Sequence, residues 1–321
     1  MGLMSIHPRN TQRVLQCGLG PLLLAVALGG CVAGLVFDPT PLPEERILRD
    51  LAYMDGPGAH AEKHRFDLFL PDANAGWPTL IFVHGGGWDE GDKSLEAAGF
   101  EVYANIGRFY ASQGFGVAVI NYRLQPEVTW RDQVLDVTHA LAAVRREVEK
   151  HGGDPDVIFL SGHSAGGQLA SYVAVADWPR ERVDGAGRVC GVVTVSGAGY
   201  DLADDATYDN YKAKRKYYAQ RFRIEGDGDD WAHDASMVNH LDAGDPPFLV
   251  VYAEREYPSL RHQARLLHGE LKALEVPSRL HVVPKQRHRL VVVTFSQPGE
   301  PVTEETVRFL REFAEDCEGQ S

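Results

Sequence analysis

The chain alternates short apolar runs with stretches of helical periodicity from about residue 64 onward. The apolar runs fall at His64–Leu70, Thr79–His84, Gly116–Asn121, Val157–Gly162, Val189–Ser196, Phe248–Ala253 and Arg279–Val283. Several are rich in Val and Ile, as strands are when both faces of their sheet are covered. Between them, Val134, Val137, Leu141, Val144 and Val148 keep to one helical face. Leu169 and Val173 follow Ala165 with the same spacing, and so do Leu310 and Ala314 after Val307. Pro277 and Pro284 bracket the last run. Strands alternating with crossover helices predict an α/β fold: a doubly wound, mostly parallel sheet.

Two stretches break the rhythm. Residues 198–245 follow a strand without a clean strand–helix repeat. They hold Asp and Gly clusters and the basic, aromatic run Tyr211–Arg223, with six positive charges and no acid. A short cap inserted over the sheet is expected there. Its basic run reads as a solvated helix face, or as an attraction for an anionic acyl group or a lipid surface. The other exception is the N-terminus. Arg9 and Arg13 precede the apolar run Val14 to Leu28, which ends at Leu28-Gly29-Gly30-Cys31. A positive start, a short apolar core and small residues form the grammar of a secretory signal over residues 1–30. The run is shorter than the roughly 20 residues of a membrane span. Leu-Gly-Gly-Cys also has the form of a bacterial lipoprotein box. Cys31 would then be lipidated and become the new N-terminus of a hydrolase domain over residues 31–321. This predicts an exported protein held at the bacterial cell envelope by an N-terminal lipid anchor.

Composition adds limits. The 321 residues carry a net charge of −13, so phosphate repulsion argues against nucleic acid as a partner. Four Cys show no zinc spacing, and no metal site or cofactor is expected. Cys190 lies in a strand-like run and reads as a small buried hydrophobe. Whether it pairs with Cys317 depends on the compartment, which the sequence leaves open.

The chemistry concentrates at strand ends. Gly162-His163-Ser164-Ala165-Gly166 follows one apolar run and opens a helical one, the strand–turn–helix setting of a nucleophile elbow. Such a turn lifts the Ser164 hydroxyl over a helix N-terminus, where positive partial charge favours a developing oxyanion. His84-Gly85-Gly86-Gly87-Trp88 ends an earlier run. Consecutive glycines let backbone N–H groups approach a ligand oxygen, so Gly85, Gly86 and Ala165 are the expected oxyanion donors. His84 is expected to brace this loop. The base should follow in sequence. His288 sits in a loop after the last strand, whereas His281 lies inside that strand. For the acid, Glu256 and Glu254 both follow Phe248–Ala253, and Asp201 is a third candidate better suited to a turn or helix cap.

Taken together, HGGGWDEGDK (84–93), NYRL (121–124), GGDPDVIFLSGHSAGGQLA (152–170) and DPPFLVVYAERE (245–256) resemble α/β-hydrolase esterases. The similarity is to the bacterial feruloyl-esterase-like group, with isoprenylcysteine methylesterases, arylformamidases and hormone-sensitive-lipase-like esterases nearby. It covers about residues 64–313. The resemblance implies a serine carboxylesterase acting on a small-molecule ester, with Ser164 as nucleophile, His288 as base and an acid where Glu256 stands. That acid is usually Asp in such enzymes, so the Glu adds a methylene. An amide hydrolase of the arylformamidase kind, or an inactive hydrolase-fold binding protein, are the other expectations.

Overall fold

The computed structural model describes residues 39–97, 99–208, 212–226, 228 and 230–318. The expected signal, residues 1–30, and Cys31 lie outside the described residues, as do Tyr211 and the side chains of residues 212–214. The main sheet has eight strands among the described residues: β1 (Ile47–Ala52), β2 (Arg65–Phe69), β3 (Trp77–Val83), β4 (Gly116–Ile120), β5 (Gly153–His163), β6 (Gly191–Val195), β7 (Phe248–Ala253) and β8 (Ser278–Val283). Their order is β1-β2-β4-β3-β5-β6-β7-β8. β2 pairs antiparallel with β1 and with β4, and every other pairing is parallel. The fold is therefore the doubly wound α/β arrangement.

Strict alternation along the strands explains the two layers. In β3, Leu80 and Phe82 enter one core while Ile81 and Val83 enter the other. In β5, Val157 and Phe159 face the first, and Ile158 and Leu160 the second. Helices α1 (Val102–Ser112) and α9 (Pro301–Glu318) cover one face. Helices α2 (Trp130–Lys150), α3 (Ala165–Val175) and α7 (Pro258–Ala273) cover the other. α2 starts at a capping box in which Thr129 and Asp132 exchange side-chain-to-backbone bonds. It buries Val134, Val137, Leu141, Val144 and Val148, the predicted apolar stripe.

After β3 and α1, the remaining crossovers carry the chain back and forth so that parallel strands end at one edge. The parallel register aligns Val83 with Gly162, His163 with Val195, and Ala253 with Val283. Each expected functional loop leaves the sheet at this edge. Cys190, just before β6, is disulfide-bonded to Cys317 near the end of α9, with Cα atoms 5.7 Å apart. Among the described residues no helix is long and apolar enough to cross a membrane.

Among the described residues, the region 198–245 contains no sheet strand. It holds helix α5 (Lys212–Phe222) and helix α6 (Trp231–Ala235); the short helix α4 (Asp177–Arg182) precedes β6, and α8 (Val291–Thr294) precedes α9.

Candidate active site

The turn between β5 and α3 is forced by sterics. Ser164 has φ 55° and ψ −118°, a strained left-handed conformation for a residue with a Cβ. A Cβ on Gly162 would lie 2.3 Å from the Gly166 carbonyl oxygen, and one on Gly166 would lie 2.2 Å from that of Val83. Only hydrogen fits at both flanks, which is the physical content of the G-x-S-x-G spacing. The Ser164 N–H is tied to the Val195 carbonyl at 3.0 Å, so the next strand holds the elbow in place.

The three expected catalytic side chains meet there. Ser164 Oγ lies 3.0 Å from His288 Nε2. His288 Nδ1 lies 3.1 Å from Glu256 Oε2 and 3.0 Å from Oε1. With the Nδ1–H donating to the carboxylate, Nε2 is left as the acceptor for the serine proton. Burial alone would raise the Glu256 pKa. The hydrogen bond and charge of His288, with smaller help from the Ser196 hydroxyl and the Tyr257 N–H, reverse this and hold it below its ordinary value. The Tyr257 N–H donates to Glu256 Oε1 at 2.8 Å.

The competing residues are elsewhere. Glu254 is exposed and accepts the Lys285 N–H at 2.7 Å. Asp201 accepts the backbone N–H groups of Ala203 and Asp204 and serves as a turn cap. His281 stays within β8.

The glycine loop after β3 lies against the nucleophile. A Cβ on Gly85 would come within 3.4 Å of Ser164 Cβ. Of the three expected donors, the Gly86 and Ala165 N–H groups make no hydrogen bond among the described residues. The Gly85 N–H differs: it donates to the Tyr103 hydroxyl at 3.3 Å. Gly85 is therefore engaged by the buried start of α1 rather than free for a ligand. The Gly87 N–H is without such a partner among the described residues.

His84 braces this loop as expected, but sequence reasoning missed the partners that act with it. His84 is fully buried, stacks on Tyr122 with ring centroids 4.3 Å apart, and donates from Nδ1 to the Gly85 carbonyl at 2.7 Å. Burial lowers its pKa to about 4, which keeps it neutral. Tyr122 donates to the His84 carbonyl at 3.1 Å. Asn121 accepts the Lys93 N–H at 2.6 Å and donates to Asp92 at 2.9 Å. Gln133 donates to the Trp88 carbonyl at 2.7 Å, and the Trp88 indole donates to Gln168 at 3.1 Å. The NYRL segment is thus the buttress of the HGGGWDEGDK segment. A joint reading of the two motifs could have found it.

The cap closes over the same loop. Tyr218 and Phe222 of α5 meet the Trp88 ring edge-on, at 5.9 and 4.9 Å. Arg221 donates to the Gly87 carbonyl at 2.8 Å, pairs with Asp89, and lies 3.7 Å over the Tyr217 ring. Part of the basic run is therefore an internal clamp rather than a solvated face. Among the described residues no three His, Cys, Asp or Glu side chains gather as a metal site.

Residues 66–271 match the BD-FAE family along more than half of the chain. The chain belongs to the BD-FAE family. Among curated proteins, this BD-FAE chain is similar to the probable carboxylic ester hydrolase LipM of Mycobacterium tuberculosis (strain ATCC 25618 / H37Rv), at 31% identity over 83% of the chain and 64% of LipM. It is also similar to the esterase LipC of the same organism, at 32% identity over 61% of the chain and 49% of LipC. The chain thus spans about half to two thirds of these relatives' lengths. Esterase B from Lactobacillus Rhamnosis (HN001) shares the fold, with a TM-score of 0.67 at 24% identity over 85% of this chain and 86% of that one.

Proposed function

We propose that this BD-FAE chain is a serine carboxylesterase acting on small to medium carboxylic esters. The observation that carries the reading is the hydrogen-bonded line from Glu256 through His288 to Ser164, ending beside unpartnered N–H groups. In this mechanism His288 takes the Ser164 proton as the hydroxyl oxygen attacks the ester carbonyl. The carbonyl oxygen becomes an oxyanion and receives the N–H groups of Gly86 and Ala165, with Gly87 in the role first expected of Gly85. His288 returns its proton to the departing alcohol and an acyl-enzyme remains on Ser164. Water, activated by the same imidazole, then releases the acid. Glu256 fixes the imidazole tautomer and stabilises its charged form throughout. The ester-hydrolase names of LipM and LipC support this chemistry.

Ser164→Ala should abolish hydrolysis of short-chain p-nitrophenyl esters while the fold survives. A fluorophosphonate should label Ser164 in the parent protein and nothing in the variant. Labelling at another serine, or undiminished turnover by the variant, removes the mechanism. The same residues could attack an activated amide, so paired ester and aryl-formamide assays decide between an esterase and an arylformamidase-like enzyme.

The N-terminal pattern supports export and lipid attachment at Cys31, with the hydrolase domain beyond it capped by residues 198–245. Full-length protein made in bacteria should then partition with membranes and resist salt washing. Cys31→Ala should release it or leave an unprocessed precursor, and a mature N-terminus other than residue 31 in mass spectrometry sinks this proposal.

A further inference from the structure

His163, the residue just before the nucleophile, is not part of the hydrogen-bonded line described above, yet it touches both halves of the site. It is buried, and its Nε2–H donates to the backbone carbonyl of His288 at 2.8 Å. Its ring sits 4.9 Å from the His288 ring, centroid to centroid. Its Nδ1 lies where a Cβ on Gly85 would approach to 2.9 Å. Adjacent residues of the elbow therefore grip His288 at two points: Ser164 meets the imidazole Nε2 and His163 meets the main-chain carbonyl.

We propose that His163 is a positioning residue for the esterase reaction: it fixes the backbone of His288, and so the reach of its imidazole to Ser164 and Glu256. The proposal rests on the serine-esterase reading above. A hydrogen bond to the carbonyl sets the rotation of the peptide that follows His288, and the side chain swings with it. The loop that carries His288 has its own backbone bonds, from Leu290 and Val291 to the Arg287 carbonyl. Those bonds orient the start of the next helix, while the His163 bond ties the loop to the strand bearing the nucleophile. Ser164 and His288 are 124 positions apart in the chain, so a bond from the side chain next to Ser164 to the His288 main chain shortens the path over which errors in placement accumulate.

The role also needs a neutral ring. Burial and the neighbouring His288 lower the His163 pKa to about 3. Above that pH the ring carries one proton, on the nitrogen that faces the carbonyl, and it places no positive charge against the imidazolium formed during attack.

The test compares His163→Leu, which removes the donor, with His163→Gln, whose amide nitrogen lies about as far from the backbone as Nε2. Steady-state kinetics on a p-nitrophenyl ester are read beside thermal melting and the far-downfield proton that His288 shares with Glu256 in NMR spectra. The expected result for His163→Leu is a kcat lower by about a hundredfold, the scale of an ångström of misplacement. KM should stay within about twofold, and the downfield proton should broaden or vanish. His163→Gln should recover most of the kcat and keep the proton signal. Should the Leu variant not fold, His163→Asn replaces it, since its shorter amide falls short of the carbonyl. A kcat for the donor-less variant within about twofold of the parent overturns the proposal, as does a Gln variant no better than Leu. A parent that neither hydrolyses esters nor takes a fluorophosphonate label overturns both this and the esterase reading. An active, labelled parent with an unaffected donor-less variant overturns this one alone.

Discussion

The glycine loop after β3 and the acid–base loops after β7 and β8 flank the same serine, but they are held in opposite ways. The glycine loop offers main-chain N–H groups, which have no side chain to steer them. Its position is imposed from outside by Tyr103, Tyr122, Asn121, Gln133, Gln168 and Arg221. The acid–base side offers side chains of its own. Glu256 and His288 are set by each other and by close neighbours, chiefly Tyr257 and His163. Preorganisation is distributed on one side and concentrated on the other. Single substitutions should therefore cost little on the first side and much on the second.

The largest effect that tests this contrast is expected at the acid. Glu256→Gln replaces a carboxylate by an amide that favours the wrong imidazole tautomer, and kcat should fall by roughly three to four orders of magnitude. Glu254→Gln and Asp201→Asn, whose contacts lie away from His288, should stay within about twofold. A Glu256→Gln variant with near-parental kcat would break the concentrated half of the comparison.

On the distributed side, Arg221→Met should lower kcat/KM by roughly tenfold, because it removes the bonds to Gly87 and Asp89 together. Tyr122→Phe removes one bond to the His84 carbonyl and keeps the stacked ring, so a loss of only a few-fold is expected, in line with about 1 kcal/mol for one hydrogen bond. If Tyr122→Phe costs as much as Glu256→Gln, the loop has a single keystone and the contrast fails.

The smallest effect should appear in acid. Glu256 has its pKa lowered by His288 despite burial, so the stability from its pairing is complete above the unfolded carboxylate value of about 4.3 and drains away as pH falls through the lower folded value. Asp92, beneath the glycine loop, is also lowered. Its burial is outweighed by the hydrogen bonds and charge of Lys63 and the bonds from Ser94, which hold it below the usual carboxylate range. These two carboxylates should therefore add no pH dependence from pH 7 to about 5 and a loss below about 4, while His84 and His163, held neutral by burial, add a separate loss that begins near the unfolded histidine value of about 6.5. The difference in melting temperature between the parent and Glu256→Gln isolates the first part: it should stay constant from pH 7 to about 5 and shrink below about 4, and a difference that shrinks near pH 6 would contradict it.

Much of the sheet could be read from sequence because its strands are buried on both faces and dense in Val and Ile. β1 escaped because Ile47–Ala52 is an edge strand with Arg49 and Asp50 exposed in its middle. The elbow was legible because steric exclusion at Gly162 and Gly166 leaves a spacing in the chain. For the acid, position in the chain left three carboxylates, and the family resemblance chose Glu256 among them. What separates Glu256 from Glu254 is a turn, closed by the Glu256 N–H on the Ala253 carbonyl at 3.1 Å, that sends one side chain inward and the other toward Lys285. Gly85 was expected as an oxyanion donor, but the engaged partner is Tyr103, 18 positions away on α1. His163 gave no local signal, since the carbonyl it meets is 125 positions downstream. The clamp made by Arg221 was hidden for the same reason: a run of basic residues looks solvated until its partners are known.

The Cys190–Cys317 bond joins residues 127 positions apart and makes the intervening chain a closed loop. Glu256, His288 and the whole of the cap lie inside that loop, while Ser164 and the glycine motif lie outside it. A protease that cuts one cap turn would open the loop without separating its pieces. The nicked molecule would keep nucleophile, base and acid on one covalent body, run at full mass without reductant, and divide into two fragments once thiol is added.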